Sequence, residues 1–179
     1  MSGGNWKALV AVVVVAFAAV AGSANAPSAQ TQPAVALNGL SHDVLVSVNA
    51  FRRSHGLAAL RQSPALNAAA AQHSTEMARD GYFAHNSVNG ASFDKRLLRF
   101  YPMGSRRYWS VGENLVWAAP DLAASKAMTM WLNSPEHRQN LLTARWREVG
   151  ISAVHVDSAP GAYGGGPATI ITTDFGVRR

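Results

Sequence analysis

Cysteine is absent from the 179 residues. That excludes a disulfide-stapled scaffold, a thiolate nucleophile, thiolate zinc ligands and lipid attachment through sulfur. Charge is sparse: charged side chains are 15% of the chain, which argues against long disorder, while 48% hydrophobic residues can fill a core. Acidic side chains are the scarcer kind, 10 against 16 Lys and Arg, for a net charge of +6. An anionic partner therefore suits the chain better than a basic one. A membrane-spanning helix needs roughly 20 apolar residues, whereas the uninterrupted run Ala8–Ala21 has 14.

Several chemical signatures are missing as well. There is no G-x-S-x-G elbow and no H-E-x-x-H. Glu136-His137 invites comparison with H-x-x-E-H, but position 133 is Asn. Gly164–Gly166 has no following helix whose dipole could hold a phosphate. The arginines come in scattered pairs (Arg52/Arg53, Arg106/Arg107, Arg178/Arg179), with no aromatic-interleaved stripe for nucleic acid, and they read as a solvated face.

What is present starts with an export signal. Residues 1–26 place Lys7 before the apolar run and the small residues Gly22, Ser23, Ala24, Asn25 and Ala26 after it. That is the layout of a secretory signal peptide, cleaved after Ala24 or Ala26; an uncleaved anchor is the alternative. After cleavage no stable membrane span remains, and the mature chain is secreted or held at the cell envelope. Residues 27–39, rich in Ala, Pro, Ser and Gln, read as a flexible linker outside the fold, and 40–179 as one domain.

Within that domain, Ser41 to His55 shows helical spacing (Val44, Val48, Phe51), with Arg52 and Arg53 at the negative end of the dipole and Gly56 as a stop. Ser63-Pro64 opens a second helix that Gly81 ends. SFDKRLLRF reads as a short helix capped by Ser92, Pro120 to Leu132 as another, and Ser134-Pro135 as a fifth helix start. Val149 to Val156 and Ala168 to Phe175 read as strands, joined by a flexible glycine-rich hairpin connection, and Tyr108 to Val111 as a third strand. Helices first and antiparallel strands later make an α+β layer arrangement.

Three segments carry ionisable residues in punctuated settings: YFAHNS with His85, GENL with Glu113, and WLNSPEHRQN with His137. With Ser134 as N-cap, His137 is the third residue of its helix, where the dipole favours neutral imidazole, the form that binds metal or accepts a proton. Two imidazoles and one carboxylate would suit a divalent cation. Trp131 and His73 read as core residues; Arg138 and Asn140 read as ties between their helix and nearby loops.

The segments VNAFRRSHGLAAL, LNAAAAQHSTEMARDGYFAHNS, SFDKRL, VGENL, WLNSPEHRQNLL, REVGISAV and the closing DFG together resemble the CAP superfamily, or SCP-like extracellular proteins, in its cysteine-free bacterial branch. The resemblance covers roughly Leu40 to Gly176. It implies a three-layer α-β-α sandwich with a central antiparallel sheet, and a cleft lined by two histidines and two acids. His85, Glu113 and His137 match three of the four; the second acid's position is Ser134. The chain also has Thr172-Thr173 where relatives commonly carry Thr-Gln. With one carboxylate missing and no nucleophile paired to a base, a binding module is expected rather than an enzyme. The expected ligand is a lipid, a sterol-like molecule or an envelope component. Zn2+ is expected to bind weakly and reversibly through His85 and His137, with Glu113 as a third or outer partner, and not to be required for folding. A metal-dependent hydrolase and an extracellular protein-interaction factor are the alternatives.

Overall fold

The computed structural model describes residues 33–179, so the segment read as a signal peptide lies outside the described residues. The chain runs through strand β1 (Val35–Ala36), helix α1 (Asn38–Ser54), β2 (Arg61–Gln62), α2 (Pro64–Asp80), α3 (Phe93–Phe100), β3 (Trp109–Ala118), α4 (Ala124–Leu132), α5 (Pro135–Leu141), β4 (Glu148–Val156) and β5 (Ala168–Arg178). The sheet order is β1-β4-β5-β3, with β2 beside β4. The long pairings are antiparallel; among the described residues β2 is the one parallel partner.

Local signals set several boundaries. The Ser63 hydroxyl accepts from the Leu66 N–H, Pro64 is the first residue of α2, and Gly81 closes the helix at φ 70°, a conformation that costs glycine little. Gly81 also lies against the Pro160–Gly161 backbone, and Ala162 N–H donates to its carbonyl (2.8 Å). The connection between β4 and β5 is thereby tied to α2 through a 3-10 turn at Gly161–Tyr163, with Tyr163 buried, rather than standing off as a flexible hairpin.

Three other expectations shift. Part of the expected linker belongs to the fold: Val35 and Ala36 pair with His155 and Val154, and α1 begins at Asn38. The alternation that usually marks a strand is invisible in a two-residue pairing, so composition alone could not locate it. Helix α4 starts at Ala124, not Pro120. Arg52 does not sit at the solvated end of its helix: it is fully buried and donates to the Leu141 and Thr143 carbonyls (2.7 and 3.1 Å), joining α1 to the end of α5.

Side chains alternate across the sheet. One face of the central strands packs under α2 and α3 through Leu115, Val154, Val156 and Ile170; the other packs under α1, α4 and α5 through Val116, Val149, Ile151, Ile171 and Phe175. This is the α-β-α sandwich. At Gly150 a side chain would come within 2.0 Å of the Leu66 backbone, so α2 rests directly on the middle of the sheet. Tyr108 and Arg179 exchange both backbone hydrogen bonds (2.8 and 3.0 Å). By antiparallel periodicity the even-numbered residues of β3 bond to β5, and the odd-numbered ones point their N–H and C=O groups outward. That phase exposes the backbone at Glu113, Leu115 and Trp117 to the helices beyond β3.

Candidate functional site

Strand β3 extends further than the sequence pattern suggests, to Ala118, and places Glu113 at its centre. The Glu113 side chain points under α2 and is 2% exposed. His85, in the turn after α2, brings its Nδ1 to 2.7 Å from Glu113 Oε1. Arg96 on α3 is bonded to the other oxygen, Oε2, and also donates to the His85 carbonyl (2.9 Å). Burial pushes Glu113 up, but Arg96 and the His85 hydrogen bond outweigh it and hold the carboxyl below its usual range. An ionised Glu113 fixes the proton of His85 on Nδ1.

His137 is built differently. It is the third residue of α5, and the Ser134 hydroxyl caps that helix, accepting from the His137 N–H (3.5 Å). The same hydroxyl lies 2.9 Å from His137 Nδ1 and donates to Glu136 Oε2 (3.2 Å). With its own proton directed at Glu136, Ser134 accepts from Nδ1–H, which leaves the lone pair on Nε2. Burial, aided by the neighbouring His85, lowers the His137 pKa to about 4. The ring is neutral at ordinary pH, and Ser134, as acceptor, is not an activated nucleophile.

Four residues beyond the expected His85, Glu113, Ser134 and His137 complete it. Arg96 neutralises Glu113. Asn114 donates to the His137 carbonyl (3.1 Å), and Asn140 donates to both Glu113 O (3.2 Å) and Asn114 Oδ1 (2.9 Å). Asn140 thus ties its helix to a strand, where a loop was expected. Asp174, on β5, is the register partner of Glu113 and fully buried. Burial first, the Glu113 charge second and a hydrogen bond to Glu113 raise its pKa well above the ordinary carboxyl value, which favours the protonated form. A D-F-G tripeptide gives no hint of this; the signal is the strand register, which sequence alone does not show.

His73 packs behind the site, with Nε2 2.9 Å from the Ala84 carbonyl, as a hydrogen-bonded core residue. Trp131 is 1% exposed and donates to the outward-facing Leu115 carbonyl (3.0 Å). Trp146 is also buried, stacked on Phe175.

His137 stands at one end of a groove of about 770 Å³ between β3 and α4. Leu115–Ala119, in and just after β3, Met130 and Trp131 of α4, Pro135 and Phe83 line it. Ser134, Asn133 and Lys126 add polar edges. His85 and Glu113 lie behind this groove rather than in its wall. As a metal site the residues are incomplete: both Glu113 oxygens are engaged, and among the described residues no group of three or more His, Asp or Glu is arranged to hold an ion. A metal would have to be held by Nε2 of two imidazoles, with Glu113 orienting His85 from behind.

Sequence and structure comparisons agree on kinship. The model of the cysteine-rich secretory protein family, CAP, matches residues 45–166. Among curated proteins, an uncharacterized membrane protein of Bacillus subtilis, YlbC, is 32% identical over 108 residues, 60% of this chain and 30% of that one. YkwD of the same organism, also uncharacterized, is 28% identical over 116 residues, 64% of this chain and 42% of that one. The chain thus spans well under half the length of these relatives. Among solved structures, an extracellular protein containing an SCP domain from Bacillus anthracis aligns with TM-score 0.60 at 27% identity, over 79% of this chain and 41% of that one. An outer surface protein of Borrelia burgdorferi aligns with TM-score 0.65 at 15% identity, over 84% of this chain and all of that one, a likeness of fold alone.

Proposed function

The chain belongs to the CAP family of cysteine-rich secretory proteins, and we propose that it acts outside the cell or at its envelope as a lipid-binding module. The groove along Leu115–Ala119 carries this reading. Its volume lies within the ~300–1,000 Å³ of small-molecule sites, and its lining is mostly apolar. An acyl chain or a sterol-like body would lie against Trp117, Met130 and Phe83. A polar head would reach His137 Nε2 and Asn133, and neutral His137 accepts a hydrogen bond from a hydroxyl; Lys126, two turns earlier on α4, adds a positive charge elsewhere along the groove.

Hydrolysis finds less support in this arrangement. Glu113 is held ionised by Arg96 and bonded to His85, so it is a poor base for water. Asp174 is enclosed, and its burial favours the protonated form. We also propose that zinc binds weakly to the two imidazoles, that it is not needed for folding, and that it loses affinity as the histidines protonate.

The test is saturable binding of a fluorescent fatty acid, followed by quenching of tryptophan emission. Ala119→Trp, which fills the groove from an exposed position, is expected to weaken binding about tenfold or more. Equal binding by both proteins would remove the groove as the site. Calorimetric titration of zinc into the wild type and a His85→Ala/His137→Ala variant tests the metal: equal heats would refute it.

A further inference from the structure

Six arginines that are far apart in sequence form one row across an end of the sheet. Arg61 is on β2, and its N–H donates to the Arg147 carbonyl (3.0 Å) just before β4. The Arg147 N–H in turn donates to the Gly176 carbonyl of β5 (3.1 Å). Arg178 ends β5, and Arg179 exchanges backbone bonds with Tyr108, directly after Arg106 and Arg107 and directly before β3. The row crosses β2, β4, β5 and β3, three strand spacings or roughly 14 Å. Glu148 is the one carboxylate in these segments, and it is engaged by Tyr101 and, at 3.8 Å, by Arg61. The opposite end of the sheet carries Asp121 and Asp157 around His155, so the molecule is electrically polar along its strands.

Three of these guanidiniums are also held in place. Arg178 lies 4.0 Å over the Tyr101 ring and donates to the Pro102 carbonyl (2.9 Å); Arg179 lies 5.1 Å over Tyr108. Arg147 donates to the Ala144 and Trp146 carbonyls (2.8 Å each). Ordering them in advance reduces the entropy lost when they bind anions. The remaining N–H groups of Arg61, Arg106, Arg107, Arg147 and Arg179 face solvent.

We propose that this rim docks the protein on an anionic phospholipid surface. The row spans four strands instead of converging on one point, so it matches several phosphates side by side rather than one small anion. Half-buried Tyr108, Trp109 and Met103 border it, and amphipathic aromatics prefer the headgroup level of a bilayer. Docking here involves a surface distinct from the groove and does not depend on what the groove binds.

The full chain is tested by co-sedimentation with phosphatidylcholine vesicles, with and without one-third phosphatidylglycerol. The ratio of the two affinities cancels any contribution from the N-terminal apolar run. We expect a clear preference for anionic vesicles that fades with added salt. Arg61→Gln/Arg106→Gln/Arg107→Gln/Arg179→Gln is expected to lower that ratio about tenfold or more. Arg53→Gln/Arg79→Gln/Lys95→Gln/Arg138→Gln removes the same charge from exposed positions that are not part of the row, and is expected to keep it. Both variants should match the wild type in urea midpoint. Equal loss in the two variants would reduce the effect to net charge and overturn the proposal. So would a wild type that ignores anionic vesicles but is retained on immobilised polyphosphate, which would assign the rim to a soluble polyanion.

Discussion

The two histidines of the cleft are stabilised by opposite means. His85 belongs to a charged interior, in which Glu113, Arg96 and Asp174 crowd under α2. His137 belongs to a neutral one, where Ser134, Asn114 and Asn140 supply only uncharged hydrogen bonds. A buried ion requires a partner of opposite sign, so the His85 half fixes protons firmly. The neutral half leaves a basic nitrogen beside an apolar groove. The difference shows how a rigid charged interior can sit behind an uncharged histidine that lines an open groove.

The largest test of this contrast is Arg96→Met. It leaves the Glu113 carboxylate buried without its cation, and such changes cost roughly 3–5 kcal/mol. Urea unfolding should show that loss. A loss below about 1 kcal/mol, the size of a surface pair, would mean that the pair is solvated and the contrast false.

Next is the pH profile of Asp174→Asn. The folded pKa of Asp174 is raised above its ordinary 3.8, so its contribution is full below that value and is lost as pH rises toward the folded pKa. The Asn variant has no such titration. It should be close to wild type in acid and gain on it as pH rises; parallel profiles would contradict a protonated Asp174.

A smaller effect of opposite sign is expected at His137. Its folded pKa of about 4 lies below the ordinary 6.5, so the neutral ring favours the fold above 6.5 and that stability is lost as pH falls toward 4. His137→Gln should flatten this loss, about 1–2 kcal/mol. NMR titration of the imidazole carbons reads the same shift directly.

Smallest is Ser134→Ala, which removes the α5 cap and the partner of Nδ1. About 1 kcal/mol is expected from the cap. The sharper readout is the His137 tautomer: nitrogen chemical shifts should lose the Nδ1–H preference, and an unchanged tautomer would show that Ser134 does not set it.

The sequence itself determined what depends on a few neighbouring residues. Ser63-Pro64 with Gly81, and Ser134-Pro135, are capping signals that act within one helical turn, and they marked the ends of α2 and the start of α5. Motif order singled out His85, Glu113 and His137; the structure joins His85 to Glu113 and puts His137 in the groove wall. Only the tertiary structure decided the rest. Arg96 reaches Glu113 across 17 residues and Asp174 faces it through a strand register. Arg52 turned inward to a distant helix end, and scattered arginines became one rim because four strands stop at the same level. Each of these depends on which chain segments pack side by side, and that is set by burying apolar surface over the whole domain rather than by local backbone preference.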